Sequence, residues 1–238
     1  MKTINVSWFS AGVSSAVATK LMVKNLDHII YIHIDDQHPD TLRFVKDCEQ
    51  WFEKKVEIIK SPIKTVENAC RARAYINGVH GAPCTGLLKI RTRLAWEAEH
   101  RFFCNFRYVW GFDSNEIKRA ERRKSEQWED EHIFPLIDND LTKADAHGIL
   151  AKAGIKRPEM YDLGYPNNNC IGCVKGGMGY WNKIRIDFPE VFMARAKLER
   201  LIGGTCIKGI YLDELDPERG RDQKIILPDC GDFCEGLN

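Results

Sequence analysis

The stretch Thr3-Ile4-Asn5-Val6-Ser7-Trp8-Phe9-Ser10-Ala11-Gly12-Val13-Ser14-Ser15-Ala16 decides the fold. Thr3 to Phe9 is a β-rich run, Ser10 to Ser15 a loop of small residues, and Ala16 to Lys24 a helix-favouring segment, so the chain opens as strand, loop, helix. The same order repeats outward from it. A second apolar run, His28 to Ile34, ends in Asp35-Asp36 and precedes a helix from Asp40 to Lys54 entered through Pro39. Val56 to Ile59 reads as a third strand, Thr65 to Tyr75 as a third helix, and Arg107 to Trp110 as a fourth strand ending at Gly111. Strands alternating with helices predict an α/β fold, a Rossmann-like parallel sheet with helices on both faces.

Further along, Thr142 is placed to N-cap a helix through Ala153, with Gly154 as its stop, and Pro189 to Ile202 forms another helix ending at Gly203-Gly204. A short apolar run, Gly209 to Leu212, a charged loop to Arg221 and a tail with Cys230 and Cys234 follow. The expected division is a nucleotide-binding domain over residues 1–180 and a helical appendage with a cysteine-bearing C-terminal tail over 181–238.

The balance of 35 Lys and Arg against 34 Asp and Glu leaves a net charge of +1, so no global field recruits nucleic acid or an anionic membrane. No run approaches the roughly 18 apolar residues of a spanning helix. Asn5, Ser7, Ser10, Ser14 and Ser15 interrupt the N-terminal apolar run, which argues against a signal peptide. The expectation is a soluble cytoplasmic protein, in which nine cysteines read as metal or redox ligands before disulfides.

Ligands of parallel sheets bind beyond the carboxyl ends of the strands, which groups Ser10 to Ser15, Asp35, Asp36 and the segment from Gly111 onward as a candidate site. A loop rich in hydroxyls and main-chain N–H groups at a helix N-terminus suits a phosphate or sulfate. Neither of the common glycine-rich mononucleotide and dinucleotide fingerprints occurs.

The loop resembles the S-G-G-x-D-S phosphate loop of the PP-loop adenine nucleotide α-hydrolases, with Ala11 replacing the first Gly and Ser14 the Asp. Three more segments follow in the order of one branch, the phosphoadenosine phosphosulfate (PAPS) reductase family. Ile34 to Thr41 resembles I-D-T-G-x-x-F-P-E-T. Gly111 to Glu116 with Arg119 resembles G-x-R-x-x-E-S-x-x-R. Phe134 to Ile137, Met160 to Pro166 and Cys170-Ile171-Gly172-Cys173 resemble its P-L, L-Y-D-x-G-Y and G-C-x-x-C succession. The resemblance spans residues 3 to about 180. It implies an adenine nucleotide (PAPS, adenylyl sulfate or ATP) held by Ser10, Ala11, Gly12, Ser14, Ser15, Asp35, Asp36, Gly111 and Glu116. Arg119, Lys89 and Lys175 would neutralise its phosphates or sulfate. The basic run Lys118 to Lys124 otherwise reads as a solvated helix face.

Cys170-x-x-Cys173 has metal-ligand spacing, and Cys230 with Cys234 is a second close pair. In the resembled family, reductases that hold a [4Fe–4S] cluster use C-C-x-x-R-K and a later C-x-x-C. Cys84 to Lys89 aligns with the first element, with one cysteine missing and Leu88 in place of Arg. The expected ligands of a [4Fe–4S] cluster or zinc are therefore Cys84, Cys170, Cys173 and Cys234. Asp229-Cys230-Gly231 resembles the E-C-G step that carries the nucleophilic cysteine, which makes Cys230 the expected catalytic thiol, although Phe233 stands where the family has His; the alternative is a metal ligand beside Cys234, and it cannot serve both roles at once. Cys48, Cys70, Cys104 and Cys206 match nothing and read as core or incidental. Trp8, Trp110 and Trp181 read as core as well, and Asn167-Asn168-Asn169 as a turn.

Three functions fit. The first is a sulfonucleotide reductase in which a cysteine thiolate attacks activated sulfate to give sulfite, served by a thiol reductant protein. The second is a PP-loop ATP pyrophosphatase adenylating a nucleic acid or other substrate for sulfur transfer from a sulfur donor. The third is a non-catalytic nucleotide-binding regulator, which Ser14 favours if the missing carboxylate is what organises magnesium. No membrane partner is expected, and a homodimer is compatible with all three.

Overall fold

A computed structural model of the chain describes residues 2–78, 81–101, 104–220 and 223–227, so Cys230 and Cys234 lie outside the described residues. In chain order the elements are β1 (Lys2–Trp8), α1 (Val13–Met22), β2 (His28–His33), α2 (Asp40–Phe52), β3 (Glu57–Lys60), α3 (Val66–Arg73), α4 (Arg91–His100), β4 (Cys104–Val109), α5 (Ile117–Glu126), β5 (Glu131–Ile133), α6 (Pro135–Asp138), α7 (Lys143–Lys152), α8 (Glu159–Asp162), α9 (Met178–Asp187) and α10 (Pro189–Ile202). The strands form one sheet in the order β3-β2-β1-β4-β5. Val6 pairs with His28 and with Tyr108, and Tyr108 with His132, all in parallel register. This is the expected α/β fold.

The chain divides into two compact units that interleave along the sequence. The first comprises Met1–His33, Pro39–Ile59 and Leu94–Asp162, and the second Ile34–His38, Lys60–Arg93 and Leu163–Asn238. The boundary expected after residue 180 falls within the second unit, inside α9.

In the first unit α1 buries seven consecutive residues, Val13 to Thr19, so it is enclosed on most sides. Its side chains are accordingly small, and they pack into one apolar cluster with Phe9, Phe44, Leu136 and Leu150. Alternate residues of β4 and its extension, Phe106, Tyr108, Trp110 and Phe112, form an aromatic row at centroid spacings of 5.7, 6.0 and 6.0 Å, the period of two that puts every second side chain on one face. The Arg123 guanidinium sits 4.5 Å from the Trp110 ring centre and the residue is 1% exposed. The basic helix is thus not wholly the solvated face that its charges suggest, since an arginine stem and planar head can be buried against an aromatic ring.

In the second unit α10 packs against α9 and α3, and Tyr165, Tyr180, Trp181 and Phe192 form a chain of buried ring contacts. Helix α10 has the predicted bounds because its ends are chemically marked. Pro189 stands in the first turn, and Gly203 leaves in the left-handed region at φ 77°. No helix among the described residues is long and apolar enough to cross a membrane.

Candidate functional site

The first unit builds the loop after β1. Ala11 turns the chain through the left-handed region at φ 57°, a conformation that costs an L-residue about 1–2 kcal/mol and that the glycine of the resembled pattern adopts freely. Gly12 then caps α1 in an extended conformation, and Val13, Ser14 and Ser15 form the first turn. Ser10 Oγ donates to Ser15 Oγ at 2.9 Å, and Ser15 Oγ donates to the Gly12 carbonyl at 3.0 Å, so the two hydroxyls are aligned across the loop. The turn is braced from α8, where Tyr161 Oη accepts a long hydrogen bond from Val13 N–H at 3.4 Å. A Cβ on Gly12 would lie 3.4 Å from Ser10 Oγ and 3.5 Å from Tyr161 Oη, ordinary contact distances within the polar mouth of the loop. Gly12 therefore leaves space at the helix N-terminus, where main-chain N–H groups and the helix dipole favour an anion.

Gly111, one residue past Trp110, supports the loop from β4. A Cβ there would fall 2.4 Å from Ser15 Cα and 2.6 Å from Ser15 N, so only glycine allows this approach. The structure thus brings Ser10 to Ser15 and Gly111 together, as the strand-end rule predicts. Glu116 and Arg119 are committed differently. Asp113 and Glu116 form a reciprocal capping box, Arg119 is ion-paired with Glu116, and its guanidinium lies 4.2 Å over the Phe112 ring.

His147 on α7 meets Tyr161 edge to face at 4.9 Å, and Lys143 Nζ lies 5.9 Å from the same ring. Burial, and then the charges of Arg157 and Lys143, hold the His147 pKa below its ordinary value of 6.5. Above that value the ring is neutral in both folded and unfolded chains. Below it the unfolded chain takes up a proton that the folded one resists, so stability falls with pH until the folded pKa is passed. Melting temperatures measured between about pH 7 and pH 5 should therefore drop less for His147→Gln than for the unaltered protein. An identical drop in both would rule this out.

Asp35, Asp36, Lys89, Lys175, Cys84, Cys170 and Cys173 belong to the second unit. Asp36 is a structural junction there. One carboxylate oxygen accepts from Val66 N–H at 2.7 Å, the other pairs with Arg195 at 2.6 Å, and its carbonyl accepts from Ile171 N–H at 2.8 Å. Arg195, buried on α10, also donates to the Gly172 carbonyl at 3.2 Å. Burial works against its charge and Asp36 outweighs that, leaving its pKa raised.

The Cys170 to Cys173 turn is held from its other side by Tyr180. Its hydroxyl accepts from Cys173 N–H at 2.8 Å and donates to the Cys170 carbonyl at 3.3 Å. Burial pushes the phenol well above its usual pKa, so it stays protonated and keeps both roles. Gly172 turns at φ 69°, and Gly176 makes room for the Tyr180 ring, whose nearest atom would be 2.0 Å from a Cβ.

Cys84, Cys170 and Cys173 line one cavity together with Lys89, Leu88 and Val174. Its volume is about 10 Å³, the limit for a single water. Among the described residues no three His, Cys, Asp or Glu side chains converge closely enough to hold a metal. Three of the four expected ligands thus share a cavity without forming a closed metal site, and the fourth, Cys234, lies outside the described residues, as does Cys230. Lys89 belongs to this cysteine cavity, and Lys175 follows in the loop beyond it, half-buried. Burial pushes the Cys70 thiol up to about 11 and the Cys206 thiol well above its usual value, consistent with their reading as core.

The asparagine run, read as a turn, is enclosed by the second unit. Asn167, Asn168 and Asn169 are all buried, and Asn167 Nδ2 donates to the Leu227 carbonyl at 2.9 Å. With Arg195 and Tyr180 it is a residue that sequence spacing does not single out, because its partner is 60 positions away.

Comparison with curated proteins gives no match. Among solved structures, a phosphoadenylyl-sulfate (PAPS) reductase from Candida auris, in a phosphate complex, is 16% identical, covers 71% of this chain and 81% of its own, and has a TM-score of 0.46. The sequence model of the phosphoadenosine phosphosulfate reductase domain matches residues 4–176, a span that takes in the loop after β1, its support at Gly111 and the Cys170 to Cys173 turn. With most of its length inside that match, the chain belongs to the phosphoadenosine phosphosulfate reductase family, a family of enzymes.

Proposed function

We propose that the protein is a sulfonucleotide reductase, binding PAPS or adenylyl sulfate and releasing sulfite. The observation that carries the nucleotide half is the loop Ser10 to Ser15, with its aligned hydroxyls at the N-terminus of α1 and no side chain at Gly12, where an added Cβ would meet only ordinary contacts. Family membership and the Asp229-Cys230-Gly231 sequence support the chemical half. The Cys230 thiolate attacks the sulfuryl sulfur, an S–S bond forms, the S–O bond to the phosphate breaks, and the nucleotide leaves with the electron pair. A thiol of a reductant protein then attacks Cys230 Sγ, sulfite departs, and the two thiols end as a disulfide. Sulfur is reduced by two electrons and the thiol pair is oxidised by two.

A zinc or [4Fe–4S] centre on Cys84, Cys170, Cys173 and Cys234 would require the first three thiols to converge more closely than they do in the cavity they line. Such a centre would hold the tail to the cysteine turn, and no step above depends on it. Visible absorbance and metal content after anaerobic purification distinguish the two metals.

Incubation with PAPS or adenylyl sulfate should leave a sulfonate-sized adduct on Cys230 in the intact mass, and Cys230→Ser should abolish it. Gly12→Val should fold normally, because only ordinary contacts meet its Cβ, and should weaken nucleotide binding at least tenfold in a calorimetric titration. No adduct, together with pyrophosphate release from ATP, would replace this reading with an ATP pyrophosphatase.

A further inference from the structure

Among the described residues of the segment 212–227 the only regular structure is a single 3₁₀ turn, yet several of its carbonyls receive donors from the body of the second unit. Arg185 Nη2 donates to the carbonyls of Leu212 at 3.3 Å and Leu215 at 2.7 Å. Asn182 Nδ2 donates to those of Asp216 at 2.9 Å and Arg219 at 2.7 Å. Gly177 N–H donates to Ile226 at 2.9 Å, and Asn167 Nδ2 to Leu227 at 2.9 Å. Between these ties, Gly179 and Gly220 touch backbone to backbone, since a Cβ on Gly179 would lie 2.4 Å from the Gly220 carbonyl oxygen. Hydrogen bonds of this kind tie the described parts of the strap, 212–220 and 223–227, to the body of the second unit at several points.

The last tie is the best shielded, with Asn167 6% and Leu227 7% exposed. Cys230 follows Leu227 by three residues, a length that spans at most about 11 Å. We propose that Asn167 is a positioning residue for sulfonate transfer, because it fastens the point from which the tail carrying Cys230 departs. The proposal rests on the reading of Cys230 as nucleophile. Its physical basis is that misplacing a reacting group by about 1 Å can cost on the order of a hundredfold in rate.

The test compares full-length Asn167→Asp, which keeps the shape but removes the donor, with Asn167→Gln, which keeps the amide. Two readouts are needed: the single-turnover rate of adduct formation on Cys230 at saturating PAPS or adenylyl sulfate, and the rate of tryptic cleavage after Lys224, within the strap. The expected result for Asn167→Asp is adduct formation slowed about tenfold to a hundredfold with nucleotide affinity unchanged, and cleavage accelerated at least about tenfold. Asn167→Gln should recover part of both. Unaltered adduct and cleavage rates in a folded Asn167→Asp would overturn the proposal, as would a fall in rate fully explained by lost nucleotide affinity. If the unaltered protein forms no adduct while Asn167→Asp still accelerates cleavage, the tie is upheld and it is the reductase reading that fails.

Discussion

Gly111→Ala is expected to destabilise the protein by about 2–3 kcal/mol and to abolish measurable nucleotide binding. The added Cβ would stand 2.4 Å from Ser15 Cα, 2.6 Å from Ser15 N and 2.8 Å from Ser15 Cβ. These are atoms of a helix whose first seven residues are buried, so no side-chain rotation relieves the clash and α1 must move away from β4. That movement displaces the N–H groups and hydroxyls which make the loop an anion site, so stability and binding fall together. Gly12→Val supplies the contrast, because its Cβ meets only ordinary contacts and should cost binding with little stability. Urea midpoints and calorimetric titration of both variants separate the two roles. A Gly111→Ala protein with an unaltered midpoint would show that β4 and α1 are not held at this distance.

The parts of the fold legible in the sequence are those whose ends or periods are chemically marked. Thr142 does cap α7, through a reciprocal bond with Asp145, and Pro189 and Gly203 delimit α10. The first four strands appear as apolar runs within a few residues of their true bounds. Strand β5 was not legible, because Glu131-His132-Ile133 is too short to show a period and becomes a strand only by pairing beside β4. The π-helical segment Thr85–Ile90, which leads directly into α4, and α4 itself escaped for a related reason, since their charges and apolar residues follow no clean helical stripe.

At the site, the loop after β1 could be read because strand, loop and helix are contiguous. The commitments of Asp36 could not, since an isolated Asp-Asp pair at a strand end reads as a ligand contact. Its partner Arg195 is 159 residues away on a helix whose pattern only announces an amphipathic surface. Local sequence records what a residue can do, whereas tertiary packing decides which of those capacities is already used.

Arg195 is therefore the second position where a large effect is expected. Its side chain is 4% exposed and serves Asp36 and the Gly172 carbonyl at once. Arg195→Met fills much of the same volume but leaves the Asp36 carboxylate, among the described residues, with only the Val66 N–H bond and strips the Cys170 to Cys173 turn of one of its supports. Breaking a buried pair by removing one partner costs about 3–5 kcal/mol, because the remaining charge stays desolvated without compensation. Asp36→Asn should also destabilise the protein, by leaving the buried guanidinium without its counter-ion. The double variant Asp36→Asn, Arg195→Met removes both charges, so its loss should be smaller than the sum of the single losses by at least about 1 kcal/mol. Urea unfolding of the four proteins at one pH closes the cycle. Losses that add to within about 0.5 kcal/mol would mean that the two side chains act independently.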